Sequence, residues 1–166
     1  ERLHDPNWQR IEVSSVERST TIEWTRPGEQ WRGSGEPWQG RSVVLTRRPG
    51  EESILRMTNC RTEGIGQWIP VVPGAVYCAQ ASVRAISSPG SATFLIVSFL
   101  DDTNRHIGIG QIDRLPAGFA VQSEKLCVIV KAPTNARFIG VGLRVLNQIQ
   151  DDFVEFSNVS LRCLAE

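Results

Sequence analysis

The segment 67–84 constrains the fold of this chain more than any other stretch of its sequence. It contains two runs in which apolar residues occupy every second position, with Pro73-Gly74 between them. Because successive side chains of a strand point to opposite faces, each run predicts a β-strand with one face in the core. The predicted core residues are Ile69, Val71, Tyr77, Ala79, Ala81 and Val83. Trp68 has the opposite phase, so a large aromatic side chain is expected on the face turned away from the core.

The rest of the chain has a similar pattern. Its 14 glycines and 9 prolines lie between short runs rich in Val, Ile, Thr and aromatic residues, and no segment keeps the 3.6-residue period of an amphipathic helix. About ten such runs, separated by turn signals, predict an all-β fold: a two-sheet antiparallel β-sandwich. The run Thr93–Leu100 is apolar on both faces, which indicates a central strand covered on both sides. We expect residues 1–166 to form a single domain.

The charge balance argues against some classes of function. The sequence has 18 basic and 18 acidic residues, dispersed along the chain, whereas general nucleic-acid binders need a basic field. The longest apolar run is strand-sized, so no membrane-spanning helix is expected. The sequence starts with neither Met nor a signal peptide, which suggests a processed protein or a module of a larger one.

Four cysteines, Cys60, Cys78, Cys127 and Cys163, are widely separated and form no zinc-binding pattern with the two histidines. Their spacing leaves two alternatives open. They form one or two disulfides, or they are buried free thiols that pack as small apolar side chains.

Several motifs resemble those of jelly-roll carbohydrate-binding modules with the galactose-binding-like fold. These modules share a run of the form Q-x-V-x-V-x-P-G-x-x-Y, a strand ending F-x-D, an A-P turn and a closing strand like F-D-D-V-x-L. The matching residues here are Gln67, Ile69, Val71, Pro73, Gly74, Tyr77, Phe99, Asp101, Ala132, Pro133 and the segment 156–161. The resemblance covers roughly residues 53–163. It implies jelly-roll topology, an extracellular or cell-surface location, and attachment to other domains.

The same resemblance raises the question of a structural Ca²⁺ ion. Such modules often hold it with polar groups of an N-x-x-F-E-like first strand and an Asp near the closing strand. Residues 5–9 fit that first strand poorly, and Ser157-Asn158 replaces the closing acid. Since hard cations need several oxygen ligands, bound Ca²⁺ is left as an open alternative. Its remaining candidate ligands are Asp5, Glu12, Asp151 and Asp152.

The aromatic composition points to a recognition surface. Five tryptophans accompany a single tyrosine. Sugars bind to proteins by stacking an apolar ring face on an aromatic side chain while polar neighbours bind the hydroxyl groups, the same amphipathic use that puts Trp at other binding surfaces. The turn-rich segment 26–40 carries Trp31 and Trp38 and is expected to form a long loop. If it lies across the sheet, these rings converge with Trp24 and Trp68; the alternative is that each Trp fills a gap between a loop and the core.

The segment Arg137–Leu146 points to the same face. One of its rows is apolar, and the other contains Gly140, Gly142 and Arg144. Glycines remove side chains where a ligand or a loop can approach the backbone, and Arg144 would supply hydrogen-bond donors. Next to Trp68 this row would form a shallow groove. The alternative is a twist or bulge packed under a loop.

Together these features predict a non-catalytic carbohydrate-binding module that recognises a glycan or polysaccharide. The predicted ligand contacts are Trp31, Trp38, Trp68 and Arg144, with Gln80 and Arg84 as a polar rim because they have the outward phase after Pro73-Gly74. The alternative is a structural or protein-interaction β-sandwich in which the same aromatics are buried. A glycan-acting enzyme is a weaker hypothesis, because the paired acids lie in turns and only Asp101-Asp102 with His106 forms an acid–histidine cluster.

Overall fold

The computed structural model describes residues 8–13, 19–24, 42–46 and 54–165, and the regular elements among them are all β-strands. In chain order they are β1 (Trp8–Val13), β2 (Ser19–Trp24), β3 (Ser42–Thr46), β4 (Ile54–Thr58), β5 (Thr62–Pro70), β6 (Val76–Ser87), β7 (Ala92–Leu100), β8 (His106–Leu115), β9 (Gly118–Lys131), β10 (Phe138–Leu146) and β11 (Phe153–Ala165). Among these residues, none belongs to a helix that could cross a membrane.

The strands form two antiparallel sheets. In the seven-stranded sheet, β6 pairs with β9 on one side and with β11 on the other. The far side of β11 is shared, since its residues 153–156 pair with β4 and its residues 160–162 pair with β2. The four-stranded sheet has the order β5-β10-β7-β8, so β7 is central and β5 and β8 are its edges.

The core lies between the sheets and follows the predicted alternation. Of the six predicted core residues, five are buried, and the sixth, Val71, is half-buried and packs against the core. The four-stranded sheet contributes inward side chains such as Leu95, Ile139 and Leu143, which face those of β6, β9 and β11. Side chains that interdigitate between two twisted sheets are the basis of a sandwich. The predicted all-β, two-sheet architecture is confirmed.

The connection through Pro73-Gly74 changes sheets. It follows β5, of the four-stranded sheet, and leads into β6, of the seven-stranded sheet. Gly74 has a φ of 83°, which favours glycine, and its N–H donates to the Ala132 carbonyl at 3.0 Å. The Val72 N–H donates to the Tyr77 hydroxyl at 2.9 Å. Because of this crossing, the outward faces of β5 and β6 lie on opposite sides of the molecule.

The strand β9 is longer than the sequence pattern indicates. We expect a strand from Lys125, where the apolar alternation starts, but β9 begins at Gly118. It pairs with β6 from Gly118, opposite Ser87, to Lys131, opposite Val76. Backbone pairing thus continues through residues 118–124, where apolar and polar side chains do not alternate.

Candidate functional site

The outer face of the four-stranded sheet has a floor made partly of glycine. The register places Gly66 of β5 beside Gly142 of β10, and Gly64 beside Arg144. A Cβ on Gly142 would meet no heavy atom closer than 3.8 Å, so there is room for a side chain at this position. The surface is low here only because the residue is glycine. Two neighbouring strands therefore expose bare backbone along the same stretch, where a ligand can approach closely.

Trp68 lies across this floor. It faces Gly140 in the register of β5 and β10. A Cβ built on Gly140 would lie 2.6 Å from Cζ3 of the indole and 2.8 Å from both Cε3 and Cη2. The six-membered ring therefore occupies the space directly over Gly140, and the glycine is needed for this close approach. The Trp68 side chain is half-buried.

Beyond Gly140 the indole meets His106, an exposed residue at the start of β8. The two ring centroids are 5.5 Å apart and the ring planes are inclined at 68°. This edge-to-face geometry is one that aromatic rings prefer. The two side chains reach towards each other from the two edge strands and so form a bar across the sheet.

A second cluster lies about 13 Å further along, because four residues of β10 at roughly 3.3 Å each separate Gly140 from Arg144. Here the register aligns Arg144 of β10, Phe94 of β7 and Arg114 of β8. Phe94 is half-buried and both arginines are exposed. The Cζ atom of Arg114 lies 5.9 Å from the centroid of the Phe94 ring.

We call the surface between these clusters the outer groove. It combines a glycine floor, an aromatic bar at one end, two cationic side chains at the other and an apolar middle in which Ile112 is 56% exposed. Its residues are Gly64, Gly66, Trp68, Phe94, Ile96, Ser98, His106, Ile112, Arg114, Gly140, Gly142 and Arg144. Such a surface can stack a flat apolar ligand face and hydrogen-bond the ligand's polar rim.

The structure places two of the predicted contact residues on the same face of the same sheet. Trp68 and Arg144 lie at opposite ends of the outer groove. Trp31 and Trp38 lie outside the described residues. The predicted polar rim is placed elsewhere: Gln80 and Arg84 lie on the outer face of the seven-stranded sheet, because the chain changes sheets after β5.

On that opposite face both residues have partners of their own. The Nε2 of Gln80 lies 3.6 Å from the Cys127 Sγ. Arg84 donates to Glu155 at 2.9 Å, and its Cζ lies 5.4 Å from the Phe153 ring centroid. Neither residue can contribute to a site that contains Trp68.

Sequence reasoning missed His106 as a partner of Trp68, and missed Phe94 and Arg114 altogether. Phe94 and Ile96 have the same phase as Ser98, which marks one face of β7 as a mixed surface. The pairing of β7 with β10 and β8, which aligns Phe94 with both arginines, has no local signal in the sequence.

The Asp101 carboxylate is hydrogen-bonded within its own turn. Its Oδ1 accepts hydrogen bonds from the Thr103 hydroxyl at 2.7 Å, the Thr103 N–H at 2.8 Å and the Arg105 N–H at 3.0 Å. The bond from the Thr103 hydroxyl, followed by that from the Arg105 N–H, lowers the pKa of this carboxyl. His106, for its part, contacts Trp68. These contacts give no support to an acid–histidine cluster for catalysis.

Asp152 joins two turns rather than presenting free oxygens. It is buried, its Oδ1 accepts from the Ser88 N–H at 3.0 Å and the Ser88 hydroxyl at 2.6 Å, and its Oδ2 accepts from the Ile149 N–H at 3.1 Å. Carboxylate oxygens that already accept these hydrogen bonds are poorly suited to bind a cation. Asp151 is exposed, Glu12 lies in β1, and Asp5 is outside the described residues. In the described ranges no group of three or more His, Cys, Asp and Glu side chains is placed to hold a metal ion.

None of the four cysteines, all of which the structure describes, forms a disulfide. Cys78 of β6 and Cys127 of β9 are cross-strand neighbours, and their sulfur atoms lie 3.5 Å apart. Burial raises the pKa of the Cys78 thiol, and the adjacent Cys127 adds to this effect. Cys60 is fully buried, as expected for a thiol that packs as an apolar side chain.

Comparisons with protein-family models and with curated protein sequences find no match. Solved structures do match. "Family 16 Carbohydrate Binding Module-2" is 16% identical over 73% of this chain and 84% of its own, with a TM-score of 0.56. The "Xylan-Binding Domain from CBM 22" is 15% identical over 96% and 97%, with a TM-score of 0.51. An arabinose-bound α-L-arabinofuranosidase is 15% identical over 76% of this chain but 22% of its own, also with a TM-score of 0.51. At such identities the likeness concerns the fold alone, and this chain has the jelly-roll β-sandwich fold of carbohydrate-binding modules, as its motifs implied.

Proposed function

We propose that this protein is a non-catalytic carbohydrate-binding module that holds a glycan chain in the outer groove. The observation that carries the proposal is the indole of Trp68 over Gly140 at one end of a glycine floor. An indole that packs by one part of its surface on backbone can offer the remainder to the apolar face of a sugar ring.

The dimensions of the outer groove support a polymeric ligand. About 13 Å separate the row of Gly140 from that of Arg144, which is longer than one monosaccharide. A flat chain would stack on Trp68, pass over Gly142 and reach Arg144, while Ser98 and His106 offer hydrogen-bonding groups at the side. The absence of side chains at Gly66 and Gly142 allows the chain to lie close to the sheet.

We also propose that the chain is one domain, that it acts outside the cell or on its surface, and that it is attached to a larger protein. The similar segment of the arabinofuranosidase makes up 22% of that protein, and this supports the idea of an attached module. The two other similar structures are named as a carbohydrate-binding module and a xylan-binding domain, which supports a binding role.

Affinity electrophoresis and calorimetric titration against a panel of soluble polysaccharides test the proposal. We expect at least one polysaccharide to bind, and Trp68→Ala to weaken that binding about 30-fold or more, since an aromatic anchor residue contributes about 2 kcal/mol. Arg84→Ala, on the opposite face, is the control and should bind as the wild type does. No reducing ends should be released during incubation.

Two results would contradict the proposal. One is that no polysaccharide binds to a protein shown to be folded by circular dichroism, which would favour the structural or protein-interaction alternative. The other is that Trp68→Ala binds as tightly as the wild type.

A further inference from the structure

We infer that the outer groove selects an acidic glycan, whose carboxylate or sulfate groups bind between Arg144 and Arg114. This inference rests on the proposed function, because it names the chemical class of the ligand for the same groove.

The first support is the alignment of the two arginines. Arg144, Phe94 and Arg114 occupy one row across three adjacent strands, so the two arginine Cα atoms are about 10 Å apart, twice the spacing of neighbouring strands. Both side chains are exposed and point away from the core. The Arg114 guanidinium lies 5.9 Å from the Phe94 ring, which keeps it over the groove. Two long side chains that flank one ring can converge on an anion above it.

The second support is that no acidic side chain among the described residues pairs with either guanidinium group. On the opposite sheet, Arg56 and Arg84 share the carboxylate of Glu155. Within the described part of the chain, neither Arg144 nor Arg114 has an ion-pair partner. A guanidinium binds a carboxylate through two parallel hydrogen bonds, a geometry that suits a uronate or a sulfate ester.

The third support is that the carboxylate next to Arg114 in the chain is turned away from the outer groove. Asp113 precedes Arg114, but its Oδ2 accepts the Cys127 N–H of β9 at 2.8 Å and its Oδ1 accepts the Arg114 N–H at 2.8 Å. The groove residues themselves are aromatic, apolar, neutral or cationic. The whole chain has no net charge, with 18 basic and 18 acidic residues, so this local positive charge comes from the arrangement and not from the composition.

The test compares polymers that share a backbone and differ in charge. The first pair is polygalacturonate and its fully methyl-esterified form, and the second pair is dextran sulfate and dextran. We expect an acidic polymer to bind at least about tenfold more tightly than its neutral partner, because hydrogen bonds to charged groups are stronger than those between neutral groups. The pair that shows the difference identifies carboxylate or sulfate as the bound group. Raising NaCl from about 50 to 500 mM should weaken binding of the acidic form alone.

The variants Arg144→Gln and Arg114→Gln should each reduce this selectivity, and the double variant should abolish it. Arg84→Gln, on the opposite face, should retain it. Both groove arginines are exposed, and a thermal melt checks that each variant is folded. If the double variant does not fold, the single variants and the salt titration test the selectivity for acidic polymers in its place.

The outcomes separate the two proposals. Equal binding of acidic and neutral polymers, lost in Trp68→Ala, overturns the acidic selectivity but leaves glycan binding intact. Unchanged selectivity in the arginine variants overturns the assignment of the anion site to Arg144 and Arg114, as does a loss of selectivity in Arg84→Gln. Tight binding of a single-stranded DNA oligonucleotide, without binding of any glycan, overturns both.

Discussion

The indole of Trp68 and the imidazole of His106 meet above the four-stranded sheet with their centroids 5.5 Å apart and their planes inclined at 68°. Trp68 belongs to the edge strand β5 and His106 to the opposite edge strand β8, with β10 and β7 between them. The contact depends on Gly140, since any side chain there would occupy the space of the indole. One glycine thus lets two distant strands share an aromatic bar at the end of the outer groove.

Gly140→Ala should displace this indole. Its Cβ would lie 2.6 Å from Cζ3 of Trp68, so the ring must move and the His106 contact is lost. Because the ring is the end of a side chain, we expect the loss of unfolding free energy to be near the lower limit of about 1–3 kcal/mol for overpacking. The loss of glycan-binding free energy should be larger than this loss of unfolding free energy. The measurements are the NMR signal of the Trp68 indole N–H, assigned with Trp68→Phe, and a binding titration.

Gly142→Ala is the matched control on the same strand. The nearest heavy atoms to its Cβ would be 3.8 Å and 3.9 Å away, at ordinary contact distance, so the indole signal should not shift. Identical indole signals in the wild type and Gly140→Ala would contradict the geometry of the bar.

Two buried glutamines should respond in opposite ways to replacement by Met. Gln67 is 1% exposed, and both polar atoms of its side chain lack a hydrogen-bond partner among the residues that the structure describes. Gln148 is 3% exposed, but its Nε2 donates to the Met57 carbonyl at 3.2 Å and its Oε1 accepts the Cys60 N–H at 3.0 Å. Gln67→Met should stabilise the protein by about 1 kcal/mol, because it removes an unsatisfied buried amide.

Gln148→Met should destabilise the protein by about 1–3 kcal/mol, because it removes both hydrogen bonds from a buried site. Urea unfolding of the two variants gives the comparison. Destabilisation by Gln67→Met as large as that by Gln148→Met would mean that the Gln67 amide is satisfied.

Asp152→Asn should lower the free energy of unfolding by about 1–3 kcal/mol. An amide can still accept the two bonds from Ser88, but its NH₂ group would then face the Ile149 N–H, which is also a donor. Asp151→Asn is the control, since Asp151 is exposed and Asn tolerates its φ of 74°. Equal losses in the two variants, measured by thermal and urea unfolding, would refute this account of the Asp152 contacts.

Asp101→Ala should cost stability in a pH-dependent way. The hydrogen bonds to Oδ1 lower the pKa of Asp101 in the folded protein below 3.8. A lowered folded pKa contributes stability above the unfolded pKa, and this stability is lost as the pH falls through the folded value. The difference in unfolding free energy between wild type and Asp101→Ala should therefore be constant near neutral pH and shrink below about pH 4.

Unfolding midpoints measured from pH 2 to 7 check this prediction for Asp101. The control is Asp102→Ala, which removes an exposed neighbouring carboxylate that accepts none of the three hydrogen bonds made by Asp101. A difference between wild type and Asp101→Ala that grows on acidification would have the wrong sign and would refute it.

Most of the strands, the core and the phase of the side chains were predictable from the sequence, because alternation along a strand is a local property, but the first half of β9 was not. The sequence therefore predicted the two-sheet sandwich, the outward position of Trp68 and the row of Gly140, Gly142 and Arg144. Which strands are neighbours was not predictable from the sequence. Strand pairing joins residues far apart in the chain, so it alone placed Gly140 under Trp68 and aligned Arg144 with Arg114. For the same reason Arg84, which has the same outward phase as Trp68, lies on the other side of the molecule, since the chain changes sheets at Pro73-Gly74.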